Sequence, residues 1–172
     1  MQDELMLATP VDVLNYALTL EHLEYAFYRD GLEMFSADDF RAAGYADNVH
    51  EWFGIIRDHE DEHVQTITQV IMDLGGEPVA EAKYDFGYSD LEGFIGVAKA
   101  LENTGVSAYE GAAQYLIDED ALLTAALTIH GVEARHAAYL NGLTGESPFP
   151  AAFDPPLSPD EVIAIAGPFI VM

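Results

Sequence analysis

The chain contains no cysteine, so neither disulfides nor thiolate metal ligands are open to it. Basic residues are almost as scarce. Six Lys plus Arg stand against 31 Asp plus Glu in 172 residues, a formal net charge of -25. That imbalance argues against nucleic acid and anionic membrane as partners, since both need a positive surface. No apolar run reaches the roughly 18 to 20 residues that a membrane span requires. The opening stretch "MQDELMLATP" lacks a basic n-region and an apolar h-region, so no signal peptide is expected and the location is read as cytoplasmic. No segment alternates with period two over a useful length, and no sheet is predicted.

What is present is a hydrophobic half of the sequence, enough for one domain over residues 1–172. A charge of this size repels itself unless salt screens it, which points to a halophilic protein. A surface that gathers metal cations is the other reading of the same acids.

Four long segments have helical periodicity. The first opens at "TPVD", with Thr9 as N-cap, Pro10 in the first turn and Asp12 behind it, and runs to about Met34. One short helical turn is expected in "SADDFRAAGYAD". The second long helix starts after Asp47 and stops at "LGG", where Gly75 suits a left-handed cap. The third starts at "SDLEGF", with Ser89 and Glu92 as a capping box, and ends near Ile117. The fourth follows "DED" and runs to about Leu143. Helices three and four are joined by a few residues and must be antiparallel neighbours. Helices two and three are separated by "GGEPVAEAKYDFGY", whose fourteen residues span about 46 Å when extended, against about 40 Å for the helix before it. The prediction is an all-α four-helix bundle over about 10–143, with one long crossover between helices two and three. A Pro-rich tail over about 146–172 carries one more helix start at Ser158, Pro159 and Glu161. Its end, "VIAIAGPFIVM", is expected to pack on the bundle or on a neighbouring subunit.

The string "RDHEDEHVQ" has two incompatible parses. His59-Glu60-x-x-His63 is a zinc metalloprotease pattern, with two His ligands one turn apart and Glu60 as base. Glu60-x-x-His63 is half of a dinuclear carboxylate site in a bundle. A second Glu-x-x-His, Glu133 and His136, lies in "GVEARHAAYL", where Val132 replaces the leading His. An extended protease motif would need Gly at 66 and His at 69, and the chain has Thr66 and Gln69. Both glutamates sit in apolar stripes: Ile56, Val64 and Ile67 share the face of Glu60, and Ile129, Ala137 and Leu140 that of Glu133. Glu21, with Ala17, Tyr25 and Tyr28, behaves in the same way, as does Glu102, with Ala98, Val106 and Tyr109. Four carboxylates meeting at one level of a core need cations or protons. Two divalent ions with two His would balance them. Oxygen plus imidazole ligation suits iron or manganese, and leaves zinc open as well. A metal-free bundle with protonated carboxylates is the bland alternative.

"LEHLEYAFY" and "LENTGVSAY" share L-E-x6-Y, and each is followed by a helix bearing Glu-x-x-His. The chain therefore reads as two hairpins that each contribute half a site. Glu24 stands opposite Gly105 in this echo, which favours Glu21 as the first-helix ligand and leaves Glu24 beside it. His59, Tyr28 and Tyr109 are placed next to the ligands, the tyrosines as core aromatics or redox groups. His22, His50 and His130 read as surface or packing residues.

The order Glu / Glu-x-x-His / Glu / Glu-x-x-His resembles that of ferritin-like di-iron carboxylate proteins. "LNYALTLEHLEYAFY", "HEDEHV", "LENTGVSAYEGAA", "VEARHAAYL" and "PFPAAFD" are similar to the desiccation-related branch of that superfamily. The resemblance implies bridging roles for Glu60 and Glu133, with Glu21 and His63 completing one metal and Glu102 and His136 the other. It implies two Fe ions, or two Mn ions, and an oxidoreductase of ferroxidase type acting on oxygen or hydrogen peroxide. The electron donor is unknown and a homo-oligomer is expected. The alternatives are manganese-catalase-like dismutation of peroxide and a stress-protective bundle that metal only staples.

Overall fold

A computed structural model describes residues 7–171; residues 1–6, which carry most of the leader reading, and Met172 lie outside it. The first long helix, α1, spans Pro10–Met34 and is closed at its start by a Thr9–Asp12 capping box. The cap satisfies amide groups that a helix start otherwise leaves unpaired. A six-residue helix, α2 (Ala37–Ala42), turns the chain into α3 (Val49–Asp73). Gly75 ends α3 at φ 77°, and the amide of Gly76 reaches back to the Ile71 carbonyl at 2.9 Å. After the crossover come α4 (Leu91–Ala112) and α5 (Asp120–Leu143), joined by a 3-10 turn at Ala113–Leu116. The third predicted helix is thus shorter than expected, because its last turn tightens. Its cap is also different: the Asp90 side chain, not Ser89, accepts from the Gly93 amide at 2.8 Å.

The chief helix pairs are α1 on α3 and α4 on α5. The crossover runs the length of α1. Asn15 hydrogen-bonds Glu77 and Val79, His22 meets the Val79 carbonyl, and Arg29 pairs with Glu81. It then buries Phe86 against Phe27. At this end of the bundle Phe27, Tyr28, Phe53 and Phe94 form a packed aromatic layer with ring centroids 4.8–6.5 Å apart. Gly31 makes that packing possible, since a Cβ there would lie 2.0 Å from Phe94 Cε2.

The tail folds back on α4. Its helix α6 (Pro159–Ala166), capped by Ser158 and Glu161, buries Val162 and Ala166. A short antiparallel pair, β1 (Lys83–Tyr84) with β2 (Ile170–Val171), clasps the tail to the crossover. This corrects the expectation of no sheet. Two-residue strands are too short to show alternation, and their pairing joins distant parts of the chain. Among the described residues no helix is long and apolar enough to cross a membrane.

Candidate metal centre

Each long helix delivers one glutamate to the same level of the bundle, and Glu21, Glu60, Glu102 and Glu133 are all 0% exposed. They are there because the apolar residues one and two turns away face the core, and a residue on the same stripe must follow them. Isolated charges at such depth cost several kcal/mol each. The surroundings therefore have to supply positive charge or protons.

His63 and His136, one turn beyond Glu60 and Glu133, point their Nδ1 atoms into the cluster. His63 Nδ1 lies 3.0 Å from Glu60, 3.1 Å from Glu21 and 3.2 Å from Glu133. His136 Nδ1 lies 3.1 Å from Glu60, 3.2 Å from Glu102 and 3.8 Å from Glu133. Glu60 turns Oε2 toward His63 and Oε1 toward His136, while Glu133 turns Oε1 toward His63 and Oε2 toward His136. Two groups of four potential ligands result: Glu21, Glu60, His63 and Glu133, and Glu60, Glu102, Glu133 and His136.

One imidazole N–H cannot donate to three carboxylates at once. Glu60 Oε1 and both oxygens of Glu133 accept no hydrogen bond, although each is buried. Ligands about 2.1 Å from a common ion in octahedral geometry stand about 3.0 Å apart. The spacing of these donors, their oxygen-plus-imidazole chemistry and the orphaned oxygens all fit a pair of divalent cations.

Hydrogen bonds from the opposite hairpin hold the outer carboxylates. Tyr28 donates to Glu102 at 2.6 Å, and Tyr109 donates to Glu21. Each L-E-x6-Y stretch thus lends its tyrosine to the other's glutamate. Glu24 is 4% exposed and outside both four-residue groups. It fills the space over Gly105, where a Cβ would lie 3.3 Å from Glu24 Oε1 and 3.7 Å from Glu133 Oε2.

The protonation pattern follows from depth and crowding. Burial, then the charge of Glu133, pushes Glu24 and Glu102 well above the usual carboxylate range. Burial lifts Glu21 to about 8, with the His63 hydrogen bond opposing it. Burial works the same way on Glu133, but the approach of His136 and His63 outweighs it and sets that group at about 2. Burial alone would lower His136, yet its carboxylate neighbours, Glu102 first, raise it to about 12. His63 is raised in the same way. In the metal-free protein the two imidazolium rings are the cations of the cage.

His59 stands outside both ligand groups, so the structure does not assemble the two His of the protease parse around one point. Its ring stacks on His136 with centroids 5.2 Å apart, and its Nδ1 lies 3.0 Å from His136 Nε2. The sequence placed His59 beside the site and missed this partner. The contact joins α3 to α5 and depends on how the two helices are rotated in the bundle, which the α3 sequence does not encode.

With this geometry in hand, comparison with known proteins assigns the class. The chain matches the ferritin-like domain over residues 9–146 and belongs to that family. It is also similar to Protein rds1 of Schizosaccharomyces pombe (strain 972 / ATCC 24843), at 27% identity over 160 residues. The match covers 92% of this chain and 38% of that protein, so the chain spans about two-fifths of the relative's length.

Proposed function

We propose that the chain is a dinuclear metal protein with oxidoreductase activity of ferroxidase type toward dioxygen or hydrogen peroxide. The observation that supports it most is the division of Glu60 and Glu133, each turning one carboxylate oxygen to each imidazole. That is the donor pattern two neighbouring ions need, and a packed salt bridge has no use for it. Glu60 and Glu133 would be shared by the two ions, Glu21 and His63 would complete one position, and Glu102 and His136 the other. Iron and manganese both suit this donor set.

When bound, such a pair supplies two electrons, enough to reduce dioxygen to hydrogen peroxide, or hydrogen peroxide to two waters, with two protons taken up in either case. The chain's own residues prepare the site. With a metal on His136 Nδ1, its Nε2–H would donate to His59 Nδ1, 3.0 Å away, and that contact would hold the ring in the ligating tautomer. Tyr28 and Tyr109 orient the outer carboxylates and can hold or deliver a proton at Glu102 and Glu21. The aromatic layer beside the cage keeps water from that side.

Metal content per chain after native purification, followed by oxygen and peroxide consumption, tests the reading. About two ions per chain and turnover of either oxidant are expected. A chain that takes up no metal, or holds metal and consumes neither oxidant, contradicts it.

A further inference from the structure

The cage has a layer of side chains on each side along the bundle axis, and the two layers differ. On one side stand Tyr28, Ile56, Ala98 and Leu140, all buried in one hydrophobic cluster with Phe53 and Phe94. On the other side the equivalent positions are Ala17, Ile67, Tyr109 and Ile129, and all four line a cavity of about 60 Å³. Ala17 and Ile129 each precede a cage glutamate by four residues, which places the cavity about 6 Å along the axis from the carboxylates. The space exists because the surrounding residues are small: Ala108, Ala112, Ala113, Ala125 and Ala126 also line it. Its surface is almost wholly hydrocarbon. Tyr109 forms part of the wall and spends its hydroxyl on Glu21, so one side chain separates the cavity from the cage. Of its lining residues, Thr66 on α3 and Ala125 on α5 are exposed.

Size and polarity restrict what this chamber can hold. A dry apolar cavity of about 150 Å³ accommodates benzene, so one of 60 Å³ suits a molecule of about two to four heavy atoms. Hydrogen peroxide fits by size, but each hydroxyl left unpaired in an apolar site costs about 1–3 kcal/mol. Dioxygen has the right size and no hydrogen bonds to lose. A separate, more open cleft of about 210 Å³ reaches His59, Arg135 and His136 from outside.

We propose that the alanine-lined chamber holds dioxygen beside the cage, and that dioxygen rather than peroxide is the oxidant it serves. The oxidant half of this rests on the dinuclear reading above; the chamber itself does not. Crystals of the full chain pressurised with xenon, an apolar probe of similar size, read the chamber without any metal chemistry. Xenon is expected inside the wall formed by Ala17, Ile67, Ala108 and Ile129. It should vanish in Ala125→Phe, with Ala113→Leu as a second filling variant should the first fail to fold. In single-turnover oxidation of protein loaded anaerobically with Fe(II), the filled variant should react about tenfold more slowly with dioxygen and at an unchanged rate with peroxide. An empty chamber under xenon, an unchanged dioxygen rate, or equal slowing with both oxidants overturns the proposal. A chain that takes up xenon but no metal keeps the chamber and refutes both its oxidant role and the dinuclear reading.

Discussion

The Glu21–His63 half of the cage and the Glu102–His136 half are built from the same parts, and they part company at two places. Each has one outer glutamate, one histidine, a tyrosine from the opposite hairpin and a share of Glu60 and Glu133. Behind His136 lies His59; the residue matching His59 in the second Glu-x-x-His is Val132, which has nothing to accept a ring N–H. Among the described residues no group takes the second nitrogen of His63. Glu24 reaches from α1 over Gly105, on the helix of Glu102, and that glycine is its counterpart in the repeat, so the other half has no such carboxylate. The lesson is that a repeated skeleton fixes where two ions go, and single departures from the repeat set how the two positions differ.

The largest expected effect comes from removing a part the halves share. Glu60→Ala should abolish both positions, whereas Glu102→Ala should leave about one ion per chain, as read by elemental analysis of folded protein. Equal stoichiometry in the two variants would contradict the bridging role.

His59→Phe should come next, because it keeps a ring and removes the acceptor. Loss of such an outer partner typically weakens metal affinity by about 10–100-fold. The loss should fall on the His136 position alone, and His136→Ala should be worse. Calorimetric titration resolving two sites would show it; equal weakening of both would mean that the halves do not differ as described.

Proton release separates the halves more finely. In the metal-free cage Glu21, raised to about 8, and His136, raised to about 12, both hold protons at neutral pH. A metal ion must expel them, so affinity rises with pH. Glu102 is held well above its ordinary range by burial and Glu133. Glu21 should stop contributing above about pH 8, while Glu102 and the two histidines continue to release protons above it. Titration in two buffers of different ionisation heat measures this, and uptake without proton release would count against the cage as described.

The smallest effect is expected at Gly105. An alanine there gains about 1 kcal/mol in helix propensity. It also crowds Glu24 Oε1 at 3.3 Å, a flexible side-chain end that can shift by a few tenths of an ångström. Gly105→Ala should therefore change thermal stability little and alter metal-binding rates more than stoichiometry. A large loss of stability would show Glu24 to be rigidly held.

Much of this was legible from spacing. Thr9, Pro10 and Asp12 mark the start of α1, Gly75 marks the end of α3, and the 75–88 stretch is long enough for a crossover. The four buried glutamates follow from the apolar stripes around them. The pairing of β1 with β2 and the stacking of His59 on His136 were not legible, since both are contacts between segments far apart in the chain. The chamber lies between. Ala17, Ile67, Tyr109 and Ile129 are legible as stripe residues, but a void appears only when four helices set them face to face.

The most direct test is an anomalous-scattering map from crystals of metal-loaded protein, collected on both sides of the metal absorption edge. Two peaks about 3.5 to 4 Å apart are predicted, one held by Glu21 and His63, the other by Glu102 and His136, with Glu60 and Glu133 between them. A single peak, no peak, or an ion bound by His59 or by Glu24 with Glu21 turned away would contradict the account.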